Sequence, residues 1–364
     1  MTTLSLAMIV KNEEGTLRSV LESVQGLCDE LVVVDTGSAD STRQIARSLG
    51  ASVHEFVWID DFAAARNRSF ELCSGDWILW LDADDVIPPH SVDKLIELKT
   101  TLSDEEVDAI GMPYGLAFEE NGICAYSLYR HRLLRRVANL RWYHPVHEWI
   151  GVEPSQARSV HDIFIEHRPT AERLAMKEPL AYLRILERAL RSGDRSNHTL
   201  FFYANELRGC GQYKEAIAAY EEFLEHAEQS WLIYYALKWI SRCHCELNEI
   251  EPAFTCAVRA SKHDPNRAEA FNDAGLILYS QRKFREAIPF FQKASTLSKP
   301  QDESPIEHCH YEWLPLDYLT SCHMALGQFS QARRFAQMAV YRNPVNGRLI
   351  SNLVVLSKLS STED

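Results

Sequence analysis

Nothing in this sequence is built to cross a bilayer: no stretch approaches the ~20 consecutive apolar residues that a spanning helix needs. Basic charge is also scarce. Against 51 Asp and Glu stand only 38 Lys and Arg, a formal net charge of −13. Affinity for nucleic acid comes from clustered cations, so this balance disfavours a phosphate-binding surface without removing the chance of a local basic patch. Cysteine never occurs in Cys-x-x-Cys spacing, and the count of nine is odd. Cys243-His244-Cys245 and His308-Cys309-His310 look like metal clusters, but residues one or two apart on a helix do not share a face. Reduced, mostly buried thiols are the expectation. The start, Met1 to Val10, has neither a basic n-region nor a small-residue cleavage site, which leads to the expectation of a cytoplasmic protein. Compositional bias is missing too: 46% hydrophobic and 24% charged residues over 364 positions describe a globular chain with room for two or three domains.

What is there divides into two halves. The first alternates strand and helix signals. Leu4 to Val10 is a nearly continuous apolar run, and Leu17, Val20, Leu21 and Val24 then follow at helical spacing. Leu31 to Val34 reads as a second strand, and Ile45, Ala46 and Leu49 as a second helix closed by Gly50. Val53 to Val57 predicts a third strand, Phe62 to Cys73 a third helix, and Trp77 to Leu81 a fourth strand. Short apolar strands separated by helices imply a mostly parallel sheet with helices on both faces. Gly111 to Gly115, Tyr126 to Leu134 and Ile163 to His167 add irregularly connected strands, which would make the sheet mixed.

After Pro169 the strand signals stop and an internal repeat begins. Tyr213-Lys214-Glu215-Ala216 aligns with Ile250-Glu251-Pro252-Ala253, Phe284-Arg285-Glu286-Ala287 and Phe329-Ser330-Gln331-Ala332. The alanines stand 37, 34 and 45 residues apart, and Asp264-Pro265 and Asn343-Pro344 close two of the units. The long step implies an inserted loop at Ser298 to Pro305. This pattern resembles the tetratricopeptide repeat, whose paired helices need small residues at close crossings. The expected organisation is an α/β domain over 1–169 and an all-α repeat solenoid over 170–364.

In an open parallel sheet, ligands bind beyond the carboxyl ends of the strands. Polar residues collect there: Lys11-Asn12-Glu13 after the first strand, Asp35-Thr36-Gly37-Ser38 after the second, Asp60-Asp61 after the third, Asp82-Ala83-Asp84-Asp85 after the fourth. Three carboxylates at one strand end repel one another unless a cation neutralises them. Hard oxygen ligands favour Mg²⁺ or Mn²⁺, with coordination positions left for a diphosphate. Taken together, Met8 to Glu13, Val34 to Thr42, Ala65-Arg66-Asn67-Arg68 and Trp80 to Asp85 resemble, in order and spacing, the family 2 glycosyltransferases with the GT-A fold. Arg132-Leu133-Leu134-Arg135 and His147-Glu148 are similar to a later segment of a bacterial subgroup that also carries tetratricopeptide repeats.

The resemblance implies a Rossmann-like mixed sheet, a nucleotide-sugar donor (UDP-linked as the first expectation), and a role for each matching residue. Asp35 would bind the base or ribose, helped by Asp40, with Lys11, Asn12 and Glu13 nearby. Arg66 and Asn67 would line the nucleotide and diphosphate pocket, and Arg132 would belong to the same donor site. Asp82 would touch the ribose or a hydrated ion, and Asp84 would ligate Mn²⁺ or Mg²⁺. Inversion by single displacement needs one general base, for which Glu148 is the choice. A further metal ligand is expected at His167, with His147 and His144 as alternatives. Processive synthases of the family carry Gln-x-x-Arg-Trp; here Arg141-Trp142 is present but Ala138 replaces the Gln, which favours transfer of a single sugar. The repeats suggest a peptide, protein or glycan acceptor, and the negative charge disfavours a hydroxymethylated phage DNA base. The competing reading is a non-catalytic repeat scaffold with a degenerate transferase domain; the intact Asp82-Ala83-Asp84 and the His147-Glu148 pair argue against it. A nucleotidyltransferase would carry a Gly-rich basic signature after the first strand, which Lys11-Asn12-Glu13-Glu14 is not.

Overall fold

The computed structural model describes residues 2–171, 180–300 and 304–360. The chain divides into two compact units, Met1–Phe118 with Tyr126–Ile185, and Glu119–Ala125 with Leu186–Asp364.

The first unit is a mixed sheet in the order β3-β2-β1-β4-β7-β6-β11-β5. Its strands are β1 (Leu4–Val10), β2 (Glu30–Asp35), β3 (Ser52–Glu55), β4 (Trp77–Trp80), β5 (Asp85–Val86), β6 (Ala109–Phe118), β7 (Cys124–Arg135) and β11 (Ile165–His167), with β10 (Ala157–Ser159) beside β6. A separate small hairpin joins β8 (Trp142–Tyr143) to β9 (Trp149–Ile150). β1 runs parallel to β2 and β4, and β2 parallel to β3. The sense reverses at β7, which opposes β4 with Ile78 across from Leu134.

Strand periodicity sorts the side chains into two cores. Leu4, Leu6, Met8, Val10, Trp77 and Leu79 face one side with helix α1 (Leu17–Ser23) and α4 (Pro89–Thr101). Ala7, Val32, Ile78 and Trp80 face the other, where α3 (Phe62–Leu72), Trp142 and Ile150 cover them. Both faces of the strands are therefore apolar, and that is why these runs read as continuous instead of alternating. Helix α2 (Thr42–Ser48) completes the β2–β3 crossover.

The second unit contains helices α6 (Asn197–Gly209), α7 (Tyr213–His226), α8 (Ser230–Glu246), α9 (Ile250–His263), α10 (Ala268–Ser280), α11 (Phe284–Ser295), α12 (Leu314–Ala325), α13 (Phe329–Arg342) and α14 (Gly347–Ser360); α5 (Ala181–Arg191) spans the division between units. They pack as hairpins: α6 with α7, α8 with α9, α10 with α11, α12 with α13. All four repeat motifs open the second helix of a hairpin at its first residue, and Ala216, Ala253, Ala287 and Ala332 are fully buried. The first helices end alike. Gly211, Asn248, Arg282 and Gly327 each take positive φ, and the next amide donates five residues back, to Leu207, His244, Leu278 and His323. This is one Schellman-type stop used four times. Gly275 marks a close crossing, since a Cβ there would lie 2.8 Å from the Phe291 ring.

The inserted loop returns to the helices through charge. Glu307 pairs with the fully buried Lys238 and with Arg242, and Arg242 also holds Asp273. Arg267 bonds Ser304 and the Pro305 carbonyl, and Tyr311 donates to Glu269 at 2.5 Å. Of the nine cysteines, four are buried, four half-buried, and Cys245 is exposed, fewer buried thiols than the composition led one to expect. Among the described residues, no helix is long and apolar enough to cross a membrane.

Candidate active site

The carboxyl ends of β1, β2 and β4 open into a cavity of about 290 Å³ in the first unit. Lys11, Glu13, Arg66, Asp82, Asp84, Arg130, His147, Glu148 and His167 all reach it. Its walls are aromatic: Trp58, Phe62, Trp80, Tyr114, Trp142 and Tyr182. Trp58 meets Phe62 edge-on at 4.7 Å, Phe62 meets Tyr182 at 5.6 Å, and Tyr182 meets His147 at 5.6 Å. Asn12, Asp60, His144 and His147 have positive φ, and they sit in the loops around this cavity. Such backbone is costly for non-glycine residues and persists where surrounding structure enforces it, commonly at functional sites. Here the enforcing contacts include the Phe62 amide, which donates to the Pro145 carbonyl at 2.8 Å.

Arg66 organises one side. Its Nε donates to Glu148 Oε1 at 2.6 Å and its Nη2 to Asp82 Oδ1 at 2.7 Å. The guanidinium lies over Trp80 at 4.7 Å and Trp142 at 5.1 Å, so it is held by two carboxylates and two ring faces. Burial would raise the Asp82 pKa, but the charges of Arg66 and Arg132 reverse that and hold it below the usual carboxylate value.

The other side is the acid loop. Asp84, Asp85 and His167 each offer one ligand atom, all within 4.8 Å of one another. Their capacities differ. Asp85 is fully buried and already engaged: Oδ1 accepts from Tyr114 Oη at 2.8 Å, and Oδ2 accepts from the Asp82 amide at 2.9 Å and pairs with Arg132 at 2.9 Å. Burial pushes its carboxyl up to about 6 in spite of Arg132, with the Asp82 charge adding to the effect. His167 Nδ1 is buried, makes no hydrogen bond, and lies 3.5 Å from Asp84 Oδ1. Burial opposes charging of that ring, but the nearby Asp84, Asp85 and Asp82 outweigh it and raise its pKa. An orphaned imidazole nitrogen facing an unengaged carboxylate suits a divalent ion. Asp84 and His167 are therefore the pair that fits one; Asp85 braces the loop that carries Asp84 and pairs in register with His167 on β11.

Residues 5–147 match the model of glycosyl transferase family 2. They form a family 2 glycosyltransferase domain. Among curated relatives, a TPR repeat-containing protein of Synechococcus elongatus is 39% identical over 156 residues, covering 41% of this chain and 36% of its own. The SPbeta prophage-derived glycosyltransferase SunS of Bacillus subtilis is 26% identical over 226 residues, covering 59% and 51%. The chain thus spans between about a third and a half of the length of these relatives. Among solved structures, glucosyl-3-phosphoglycerate synthase from Mycobacterium tuberculosis, in complex with Mn²⁺, UDP and glucosyl-3-phosphoglycerate, has a TM-score of 0.36 at 20% identity, covering 54% of this chain and 81% of that one. That likeness is too distant to carry an argument.

Within the glycosyltransferase domain, the residues expected at the donor site separate into two groups. Lys11, Glu13, Arg66, Asp82, Asp84, Glu148 and His167 line the cavity, as does His147. The remaining five are engaged beside or beneath it. The Asp35 carboxylate accepts from the Gly37 and Ser38 amides, and Asp40 accepts from Thr42 and the Glu14 amide. Asn12 accepts from the Ala39 amide and donates its own amide to Ser38 Oγ. These contacts stitch the first two strand-end loops together. Asn67 bonds both the amide and the carbonyl of Trp142, fixing the cavity wall from behind. Arg132 is fully buried beneath the site, its guanidinium 3.9 Å from the Trp80 ring centre. The cavity residues that sequence reasoning missed are Arg130 and the aromatic walls. Arg130 had a signal, the two-residue spacing to Arg132 on one strand face. Trp58 and Tyr182 had none: Trp58 lies in a loop and Tyr182 at the start of α5, and only the folded chain brings either to the cavity.

Proposed function

We propose that the chain is a metal-dependent, inverting glycosyltransferase that moves a single sugar from a nucleotide sugar, UDP-linked, to a peptide, protein or surface-glycan acceptor. The observation that carries this reading is the cavity in which Asp84 and His167 face one another across from Arg66, Asp82 and Glu148. Asp84 and His167 would hold Mn²⁺ or Mg²⁺, which when bound offsets the charge of the departing diphosphate. Asp82, fixed by Arg66, would orient the ribose or the hydrated ion. Glu148 is held through Oε1, leaving Oε2 to take the acceptor proton as the new glycosidic bond forms. The aromatic walls would exclude water from that exchange. Asp35 and Asp40 would shape the nucleotide end through the loop backbone they tie down.

The catalytic part would occupy 1–169, and the helices from 170 onward would bind the acceptor, a role that suits repeat surfaces. The net charge of −13 sets a modified DNA base behind a peptide as acceptor. Nine cysteines without a disulfide support a reducing, cytoplasmic setting.

The test is a donor-hydrolysis screen across UDP-, GDP- and dTDP-sugars with Mn²⁺. Release of UDP that stops in EDTA is the expected result. Undiminished release in EDTA would remove the metal from the proposal, and no release or transfer with any donor would favour a scaffold.

A further inference from the structure

Among the described residues, three arginine or lysine side chains line the cavity: Lys11, Arg66 and Arg130. Arg66 is spent, since both Asp82 and Glu148 hold it. Arg130 differs in every respect. It is exposed, and among the described residues no side chain or carbonyl takes a hydrogen bond from it. It lines the same cavity as Glu148, Asp82 and Tyr114.

Its position is fixed from below. Arg130 and Arg132 are two apart on β7 and share a face, about 6.6 Å apart along the strand. Arg132 is locked in the floor by Asp85, the Trp80 ring and the Tyr114 ring. The peptide between them is pinned as well, because the Trp80 indole donates to the His131 carbonyl at 2.6 Å. The backbone of Arg130 is thus held on both the side-chain and the carbonyl side of its neighbours, while its guanidinium is left unspent.

An exposed guanidinium with no partner, on a braced strand and beside a cavity rich in carboxylates, is arranged for an anion that arrives with the substrate. We infer that Arg130 binds the distal phosphate of the nucleoside diphosphate and holds it as the sugar departs. The planar fork can meet two phosphate oxygens at once, which a lysine cannot. This inference rests on the donor reading above and adds to it the residue that separates a diphosphate from a monophosphate.

The test measures binding of UDP and UMP to the full chain by calorimetry, with Mn²⁺ and again in EDTA, for wild type, Arg130→Ala and Arg130→Lys. Wild type should prefer UDP. Arg130→Ala should lose about tenfold or more of that preference, in EDTA as well as with metal, while UMP affinity and thermal unfolding stay unchanged. Arg130→Lys should recover part of the loss. A full UDP preference in Arg130→Ala overturns the inference and leaves the donor reading standing, as does a changed acceptor KM with unchanged nucleotide binding. If wild type binds none of UDP, GDP and dTDP, the donor reading fails and this inference falls with it.

Discussion

Glu148 and Asp85 illustrate how differently two carboxylates in one site can be used. Glu148 keeps one oxygen on Arg66, and the residue lines the cavity. Replacing it by Gln preserves the shape and one hydrogen bond to Arg66. The expected outcome is nucleoside-diphosphate binding within a fewfold of wild type, with transfer reduced about 100-fold or more. Binding by calorimetry beside single-turnover transfer checks this, and near-normal transfer would move the base elsewhere. Asp85 has no oxygen to spare. Asp85→Ala would strand the fully buried Arg132 charge and release Tyr114, at a cost of about 3–5 kcal/mol in urea unfolding. A cost below about 1 kcal/mol would mean that the Asp85 pair does not brace the acid loop.

Among the elements, the repeated stop between helices gives the sharpest comparison. Gly211, Asn248, Arg282 and Gly327 perform the same left-handed turn, with φ between 58° and 75°. Glycine does this freely, whereas a side chain with a Cβ costs roughly 1 kcal/mol. Arg282 is exposed and its side chain has no bond in the described residues, so that cost is not recovered there. Arg282→Gly should therefore stabilise the helical unit by up to about 1 kcal/mol, and Gly327→Ala should destabilise it by a similar amount. Opposite shifts in chemical denaturation midpoint are the readout. A reversal of both shifts, with Arg282→Gly destabilising and Gly327→Ala stabilising, would show that unfolded-chain entropy outweighs the turn.

At the scale of the whole chain, each unit has its own apolar clusters among the described residues: Leu6, Trp77 and Leu79 belong to one in the first unit, and Phe291, Leu316 and Leu349 to one in the second. Repeat hairpins owe their stability to nearest neighbours. Phe291 is fully buried, and Phe291→Ala is expected to cost the helical unit about 3–5 kcal/mol. Nucleoside-diphosphate affinity should be unchanged, because every residue lining the donor cavity belongs to the first unit. Calorimetric unfolding and nucleotide binding on the same sample check both parts. A loss of nucleotide affinity matching the loss of stability would show that the donor site needs the repeats to hold its form.

Much of this was legible from residue order. Two-sided apolar strands announce themselves as runs such as Leu31 to Val34, and polar residues must follow where those strands end. The repeat motif marked the first residue of four helices because a buried alanine is forced wherever two helices cross closely. Tertiary structure alone settled which member of each motif meets the cavity. Arg66 and Asn67 are adjacent on α3, yet one bridges two cavity carboxylates while the other clamps the Trp142 backbone. Arg130 and Arg132 share a strand face, yet one is exposed and the other is sealed against Asp85. Asp84 and Asp85 are neighbours, yet only one has oxygens to spare. Sequence spacing assigns a residue to an element and a face; whether its charge is spent depends on partners dozens of positions away, which only the folded chain brings within hydrogen-bonding distance.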